Sequence, residues 1–208
     1  MIFHNVEQNS DSWFELRRGK ATSSNFGKIM ANYEKAFGEP AKKYAYRIAY
    51  EQVTGDFFEE DSFSNNNMEN GHIWEPVARE DYELEKFTEV SNGGFCESEK
   101  INNVGGSPDG LILGEKGGIE IKSVIPYTQF KNLKRGTFDP AYKWQLIGNM
   151  WLCDLEWIDF ISYGFRNTEK NKLHIFRLIA SEYKEEFKNL ESRLHDFMEL
   201  VDNQKKYV

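Results

Sequence analysis

One stretch of the chain, Gly105–Ser123 with the sequence GGSPDGLILGEKGGIEIKS, predicts an acid-bearing turn followed by a β-hairpin. The glycine-rich residues 114–118 are typical of a hairpin connection, and the alternating residues 119–122 are typical of a strand. Glycine and proline favour turns, so Asp109 is expected at the mouth of a bend. The expected turn residues are Gly105, Gly106, Pro108 and Gly110.

The strand that ends this stretch carries charged residues on one face. Side chains two positions apart share a face, so Glu120 and Lys122 point one way while Ile119 and Ile121 point into the core. Together with Asp109, these charged residues predict a compact site for a hard divalent cation. Carboxylate oxygens suit Mg²⁺, and the lysine could orient or deprotonate a metal-bound water.

The Glu-x-Lys pattern alone does not identify a site. It begins three times in this chain, at Glu120, Glu182 and Glu186. The first copy alone lies on an alternating strand after an aspartate turn. The spacing leaves two interpretations open, a nuclease-type metal site and a surface hairpin whose charged face is solvated.

Four motifs occur in order along roughly residues 10–155, and an ordered set is more specific than any single motif. They are Trp13-Phe14-Glu15-Leu16-Arg17-Arg18-Gly19 with Thr22-Ser23-Ser24, Gly71-x-x-x-Glu75-x-x-Ala78-x-x-x-Tyr82, Ser107-Pro108-Asp109-Gly110-Leu111 with Glu120-Ile121-Lys122, and Tyr142-x-x-Gln145 with Met150-Trp151. This set resembles the PD-(D/E)XK nucleases, in particular their lambda exonuclease or YqaJ-like branch of phage recombination nucleases.

The resemblance implies an α/β (α+β) fold of the restriction-endonuclease type, a mixed central sheet flanked by helices. It also implies two Mg²⁺ ions per active site, for which Mn²⁺ can substitute. Asp109 would bridge the ions, Glu120 and the carbonyl of Ile121 would hold the first, and Glu75 would support the second. Lys122 would activate or orient the attacking water.

Gln145 would help to place that water, although a neutral glutamine on this helix could equally satisfy buried backbone. Arg17 and Ser24 would hold the 5′-phosphate of the digested strand. Thr22, Ser23 and Ser24 are good helix-capping residues, so both groups would converge near a helix N-terminus, where backbone N–H groups favour phosphate.

The resembled family implies a 5′-to-3′ exonuclease that acts on linear double-stranded DNA and leaves 3′ single-stranded overhangs. The implied partners are DNA ends, a single-strand annealing protein and two further copies in a homotrimer ring. A phage- or prophage-encoded protein of a bacterial cytoplasm follows. Two alternatives remain, another nuclease on the same core (an endonuclease or a Cas4-like enzyme) and a non-catalytic DNA-end-binding protein.

Composition favours one globular domain, 1–208, with 39% hydrophobic residues and no run long enough to span a membrane. A net charge of −8 counts against a protein that simply coats DNA. Bases nevertheless concentrate between Lys122 and Lys143 and between Arg17 and Lys28, which would permit a basic groove on an acidic body. The two cysteines give no disulfide framework, so a reducing compartment is expected.

The remaining patterns predict the elements around the hairpin. Residues 1–11 and 57–69 are expected to be irregular, and residues 88–97 to form a strand. Glu75 is expected near the start of its helix. Helices are predicted over 41–53, 72–86 and 141–153 and from 183 onward, a short basic helix or turn over 127–134, and strands over 101–105, 157–163 and 173–179.

Overall fold

The structure, a computed structural model, describes residues 1–58 and 66–208, and for 66–72 it describes the backbone alone. The α-helices in these residues are α1 Asp11–Arg17, α2 Phe26–Met30, α3 Glu39–Thr54, α4 Asn66–Lys86, α5 Pro126–Arg135, α6 Lys143–Leu152, α7 Glu169–Lys172 and α8 Lys184–Gln204. The strands are β1 Ile2–His4, β2 Ala21–Thr22, β3 Val90–Asn92, β4 Phe95–Glu97, β5 Val104–Gly106, β6 Gly110–Ile112, β7 Gly117–Ser123, β8 Trp157–Tyr163 and β9 Leu173–Ile179.

The strands form two sheets. The larger has the order β3-β6-β7-β8-β9 and is mixed, because β7 and β8 run parallel while the other neighbours run antiparallel. The smaller has the order β1-β4-β5-β2. The predicted α/β class with a mixed sheet and flanking helices is confirmed, and the second sheet is an addition that the sequence patterns did not predict.

Strand β7 is covered on both faces, because α4 packs on one side and α6 lies on the other. Ile119 and Ile121 join a buried cluster with Ala78 and Tyr82 of α4. Glu120 points to the opposite face and is also buried, with 0% of its surface exposed. The alternation predicted for this strand is confirmed, and the alternative of a solvated surface hairpin is wrong.

A second buried cluster lies beneath the smaller sheet and is formed largely by helices. Helix α8 packs against α3, and α6 packs against α2. The amphipathic pattern predicted from residue 183 onward therefore faces the core, with Leu190, Leu194 and Phe197 fully buried. This packing holds the N-terminal third of the chain against the larger sheet.

Several predicted boundaries are wrong, and two of the errors concern glycines. Gly105 and Gly106 lie inside β5 rather than in a turn. They are required by close packing, since a Cβ at Gly106 would lie 2.5 Å from the Ser23 hydroxyl. Residues 88–97 form two strands in different sheets, because the backbone turns at Gly94 with a φ of +57°.

Other errors concern element ends. Residues 1–11 contain β1, which pairs with β4. Helix α4 begins at Asn66, so the predicted loop 57–69 ends earlier, and its residues 59–65 lie outside the described part of the chain. Glu75 consequently lies well inside α4 rather than near its start, one residue before a proline within the helix. Predicted strands β8 and β9 have the observed bounds.

Candidate active site

The carboxylate of Glu120 is the centre of a hydrogen-bonded cluster on β7. Its Oε1 accepts hydrogen bonds from Lys122 Nζ and from Gln145 Nε2, each at 2.5 Å. Its Oε2 accepts a third from Asn149 Nδ2 at 3.0 Å. Gln145 and Asn149 lie four residues apart on α6 and therefore share one face of the helix. A buried acid is thus fixed by a lysine and two amides.

Asp109 lies beside this cluster, in the short connection that carries the chain from β5 to β6 and so from one sheet to the other. Its N–H donates to the carbonyl of Ile119 at 3.0 Å. Its carboxylate Oδ2 accepts from the backbone N–H of Ile121 at 2.6 Å. Both bonds attach the turn to β7 on either side of Glu120, so the two acids are held next to one another.

Helix α4 contributes Glu75 and Arg79 to the same region. Arg79 Nη2 donates to the backbone carbonyl of Asp109 at 2.7 Å and lies 3.5 Å from Glu75 Oε1. The arginine therefore ties the helix to the acid-bearing turn. The sequence-predicted residues Glu75, Asp109 and Glu120 thus lie in one region, although they come from three separate elements.

Burial and like charge shape the electrostatics of this site. Burial, followed by the negative charge of Asp109, raises the pKa of Glu120 to about 8 and that of Glu75 to about 7. Burial alone would lower the pKa of Lys122, but the carboxylates of Glu120 and Asp109 outweigh it and raise that pKa. The cluster therefore holds three carboxyl groups, from Glu75, Asp109 and Glu120, against two basic side chains, Lys122 and Arg79.

The donor set of this site suits a hard cation, since carboxylate and carbonyl oxygens are the ligands that Mg²⁺ prefers. Within the described residues, however, no group of Asp, Glu, His or Cys is already drawn together as a metal cluster. Both oxygens of Glu120 are instead hydrogen-bonded, to Lys122, Gln145 and Asn149. A cation would have to take the place of one of these partners.

Arg17 and Ser24, the residues predicted to bind a 5′-phosphate, also come together. Arg17 Nη2 lies 3.4 Å from the Ser24 hydroxyl and 3.5 Å from the Thr22 hydroxyl, and its guanidinium lies 4.0 Å from the ring centre of Trp13. Burial lowers the pKa of Arg17 to about 10, so the group remains charged at neutral pH. Its described partners are hydroxyls and a ring, which leave its charge available to an anion.

The local backbone around Ser24 differs from the prediction. Residues Ser23–Asn25 form a single 3₁₀ turn before the short α2, and Thr22 makes no side-chain capping bond there. The hydroxyls of Thr22 and Ser24 instead face Arg17. A cavity of about 100 Å³ opens beside them, lined in part by Tyr44.

Trp13 connects this pocket to the acid-bearing turn. Its indole N–H donates to the Ser107 hydroxyl at 2.8 Å, and Ser107 stands two residues before Asp109. The face of the same ring contacts the guanidinium of Arg17. One side chain therefore contacts both Arg17 and the connection that carries Asp109.

Sequence reasoning did not assign roles to Asn149, Arg79 and Trp13. A signal existed for the first two, because Asn149 and Arg79 each follow a predicted site residue by four positions on a helix. No sequence signal pairs Trp13 with Ser107, which are 94 residues apart. That contact depends on how α1 packs beside the β5–β6 connection.

The sequence of the chain matches one known protein family. A YqaJ-like viral recombinase domain matches residues 12–156. The chain belongs to this YqaJ-like family. A comparison with curated proteins gave no match.

Solved exonuclease structures are similar to this chain over nearly its whole length. The alkaline exonuclease LHK-Exo of Laribacter hongkongensis in complex with dAMP is 26% identical, with a TM-score of 0.81 over 95% of this chain and 97% of that one. Another LHK-Exo crystal structure gives 24% and 0.79 with the same coverage. A phage-related exonuclease from Haemophilus somnus 129PT, 17% identical, shares the fold with a TM-score of 0.62 over 91% of this chain and 96% of that one.

In the described residues, no helix is long and apolar enough to cross a membrane.

Proposed function

We propose that the protein is a Mg²⁺-dependent exonuclease that digests one strand of linear double-stranded DNA from its 5′ end and leaves a 3′ single-stranded overhang. The observation that carries this proposal is the buried Glu120, hydrogen-bonded to Lys122 and Gln145 and adjoining Asp109. Membership of the YqaJ-like family and the likeness to LHK-Exo support it.

Mg²⁺, or Mn²⁺ in its place, would be held by the carboxylates of Asp109, Glu120 and Glu75 and by the carbonyl of Ile121. Two such ions, when bound, would supply an activated water and stabilisation of the leaving oxygen. The three carboxylates carry the excess negative charge that such a cation neutralises.

Lys122 would act on the attacking water as a hydrogen-bond donor. Its raised pKa keeps the ammonium protonated at neutral pH, which favours orienting the water and balancing charge over accepting a proton. Gln145, bonded to the same carboxylate oxygen as Lys122, would help to fix the position of the water. These two side chains would therefore define the line of attack.

Binding of Mg²⁺ should release about one proton per chain at pH 7 and almost none at pH 9.5, because metal ligands must be deprotonated. The raised pKa values of Glu75, about 7, and Glu120, about 8, leave both acids partly protonated at neutral pH. Calorimetric titration in two buffers of different ionisation enthalpy measures the number. Mg²⁺ binding without proton release at pH 7 would contradict the assignment of these two ligands, and Glu75→Gln should reduce the release.

Replacing Arg17 with alanine should slow digestion of 5′-phosphorylated ends about 10- to 100-fold, because a charge-assisted hydrogen bond to the phosphate is lost. Ends with a 5′-hydroxyl should lose much less. Initial rates on the two matched duplexes measure the difference. Arg18→Ala is the control, since that arginine pairs with Glu15 on the surface. An equal loss on both kinds of end would remove the 5′-phosphate pocket from the proposal.

One experiment separates the proposed enzyme from its alternatives. Incubation with Mg²⁺ should release mononucleotides from linear duplex DNA and leave covalently closed circles intact. Cutting of the circle would identify an endonuclease on the same core. Binding of linear ends without any nucleotide release would identify a DNA-end-binding protein.

The proposed partners follow the same family likeness. A homotrimer ring around DNA predicts a sedimenting species of three chains, and a single-strand annealing protein would receive the overhang. A bacterial cytoplasm that hosts a phage or prophage is the proposed setting.

A further inference from the structure

Helix α5 is inverted relative to an ordinary surface helix. Gln129 and Asn132 are buried, with 0% and 2% of their surfaces exposed. Tyr127 and Phe130, by contrast, are 68% and 55% exposed. A surface helix normally buries its apolar side chains and exposes its polar ones. The outer face of α5 therefore presents aromatic rings that packing does not require.

The buried polar side chains explain how α5 is held. Gln129 Nε2 donates to the backbone carbonyls of Ser162, Asn171 and Lys172 at 3.0–3.1 Å. Asn132 Nδ2 donates to the Ser162 hydroxyl at 2.8 Å. Hydrogen bonds to neighbouring segments thus replace apolar packing on the inner face of α5. The rings of Tyr127 and Phe130 remain exposed on its outer face.

These hydrogen bonds hold α5 beside the candidate active site. Ser162 on β8 is the register partner of Lys122 on β7, and paired strands lie about 4.8 Å apart. Tyr127 follows Lys122 by five residues, a span of about 17 Å at most. The outer face of α5 is therefore within a few nucleotides of the proposed point of cleavage.

The chemistry of this face suits a flexible polyanion with planar groups. The rings of Tyr127 and Phe130 lie 6.3 Å apart between centroids at an angle of 24°, and Lys131 Nζ lies 5.3 Å from the Tyr127 ring centre. Lys134 adds positive charge, and the helix contains no acid, while Arg135 is paired with Asp139 at 3.6 Å. The chain as a whole carries a net charge of −8, so this basic aromatic face stands out from its surroundings.

We propose that the outer face of α5 binds single-stranded DNA next to the active site. Bases would stack on Tyr127 and Phe130, and phosphates would contact Lys131 and Lys134, as in other single-strand binding surfaces. This inference rests on the proposed function and identifies the bound strand as the 3′ overhang that digestion leaves. The positive charge of the face favours this occupant over an apolar protein surface.

The test measures binding to two labelled probes by fluorescence anisotropy in EDTA, so that no digestion occurs. One probe is a blunt 5′-phosphorylated duplex, and the other is the same duplex with a 3′ tail of about ten nucleotides. The wild-type chain should bind the tailed probe more tightly. Tyr127→Ala combined with Phe130→Ala should weaken tailed-probe binding at least about tenfold and abolish the preference for it.

Two control variants make the result specific. Tyr127→Phe with Phe130→Tyr keeps both rings and should retain the preference for the tail. Leu84→Ala with Phe87→Ala removes two exposed apolar side chains from the acidic region at the C-terminal end of α4 and should also retain it. Circular dichroism of each variant checks that the fold is intact.

The proposal is overturned if the wild-type chain binds both probes equally or if the double alanine variant keeps its tail preference. It is also overturned if that variant loses blunt and tailed binding alike while its sedimentation coefficient without DNA changes, since the face would then contact a second copy. Nucleotide release is measured separately. A chain that prefers the tail but digests nothing would refute the nuclease and leave single-strand binding standing.

Discussion

Replacing Lys122 with alanine should slow strand cleavage by a factor of about 10² to 10⁴, the range typical of a lost group that assists proton transfer or positions a nucleophile. In the structure its ammonium is hydrogen-bonded to Glu120 at 2.5 Å and lies 5.2 Å from the ring centre of Tyr142. Binding of duplex DNA should persist, because the loss is confined to the reacting water. Quenched-flow release of the first nucleotide measures the effect, and anisotropy measures the binding.

Two further variants protect that interpretation. Lys122→Gln retains a hydrogen-bond donor toward the buried Glu120 and guards against misfolding, since an unpaired buried charge is costly. It should also be slow. Lys116→Ala removes a surface lysine from the same hairpin, where it pairs with Asp154, and should cleave normally. Full activity in Lys122→Ala would exclude Lys122 from the reaction.

Replacing Asp109 with asparagine should reduce cleavage at least about 10³-fold, because the proposed metal site would lose a charged ligand that no neighbouring group replaces. The amide oxygen can still accept the hydrogen bond from Ile121 N–H that Asp109 accepts at 2.6 Å, so the turn is expected to keep its shape. Mg²⁺ titration by calorimetry should show a loss of affinity of about 10²-fold or more.

The same substitution should stabilise the metal-free protein at alkaline pH. The charge of Asp109 helps to raise the pKa values of Glu75 to about 7 and Glu120 to about 8. A raised carboxylate pKa means that the folded state disfavours the ionised form, so the cost is absent below the ordinary pKa of 4.5, grows as the pH rises, and is complete above about pH 8. Removing the neighbouring charge should therefore add about 1 kcal/mol at pH 8.5, or about 2–4 °C in Tm, and add little at pH 5.5.

Thermal unfolding in EDTA at the two pH values measures this gain. Asp154→Asn, at an exposed ion pair with Lys116, is the matched control and should change neither Tm nor activity. A variant that is both inactive and less stable at pH 8.5 would indicate that Asp109 supports the fold rather than the chemistry. Higher stability with lost activity is the expected signature of like charges gathered for a cation.

Local periodicity allowed a correct prediction of the elements whose pattern depends on their own residues. Strands β8 and β9 have the predicted bounds, and α3 ends at Thr54, one residue after the predicted end at 53. The face shared by Glu120 and Lys122 followed from the two-residue period of a strand. These features need no knowledge of what packs against them.

Features that depend on distant packing were not predictable. The complete burial of Glu120 results from α6 covering its face, and nothing in the hairpin sequence reports that cover. The roles of Gly105 and Gly106 arise from close neighbours in another strand and helix rather than from a turn. The contact of Trp13 with Ser107 likewise exists only after α1 has packed.

Strand β7 alternates between apolar side chains that join one core cluster and charged side chains that form the candidate site. A shift of its pairing by one residue would exchange the two sets completely. Ile119 and Ile121 would then occupy the places of Glu120 and Lys122, and these two charged side chains would enter an apolar core. A molecule that pairs its central strand incorrectly would therefore lose its stability and its reactivity together.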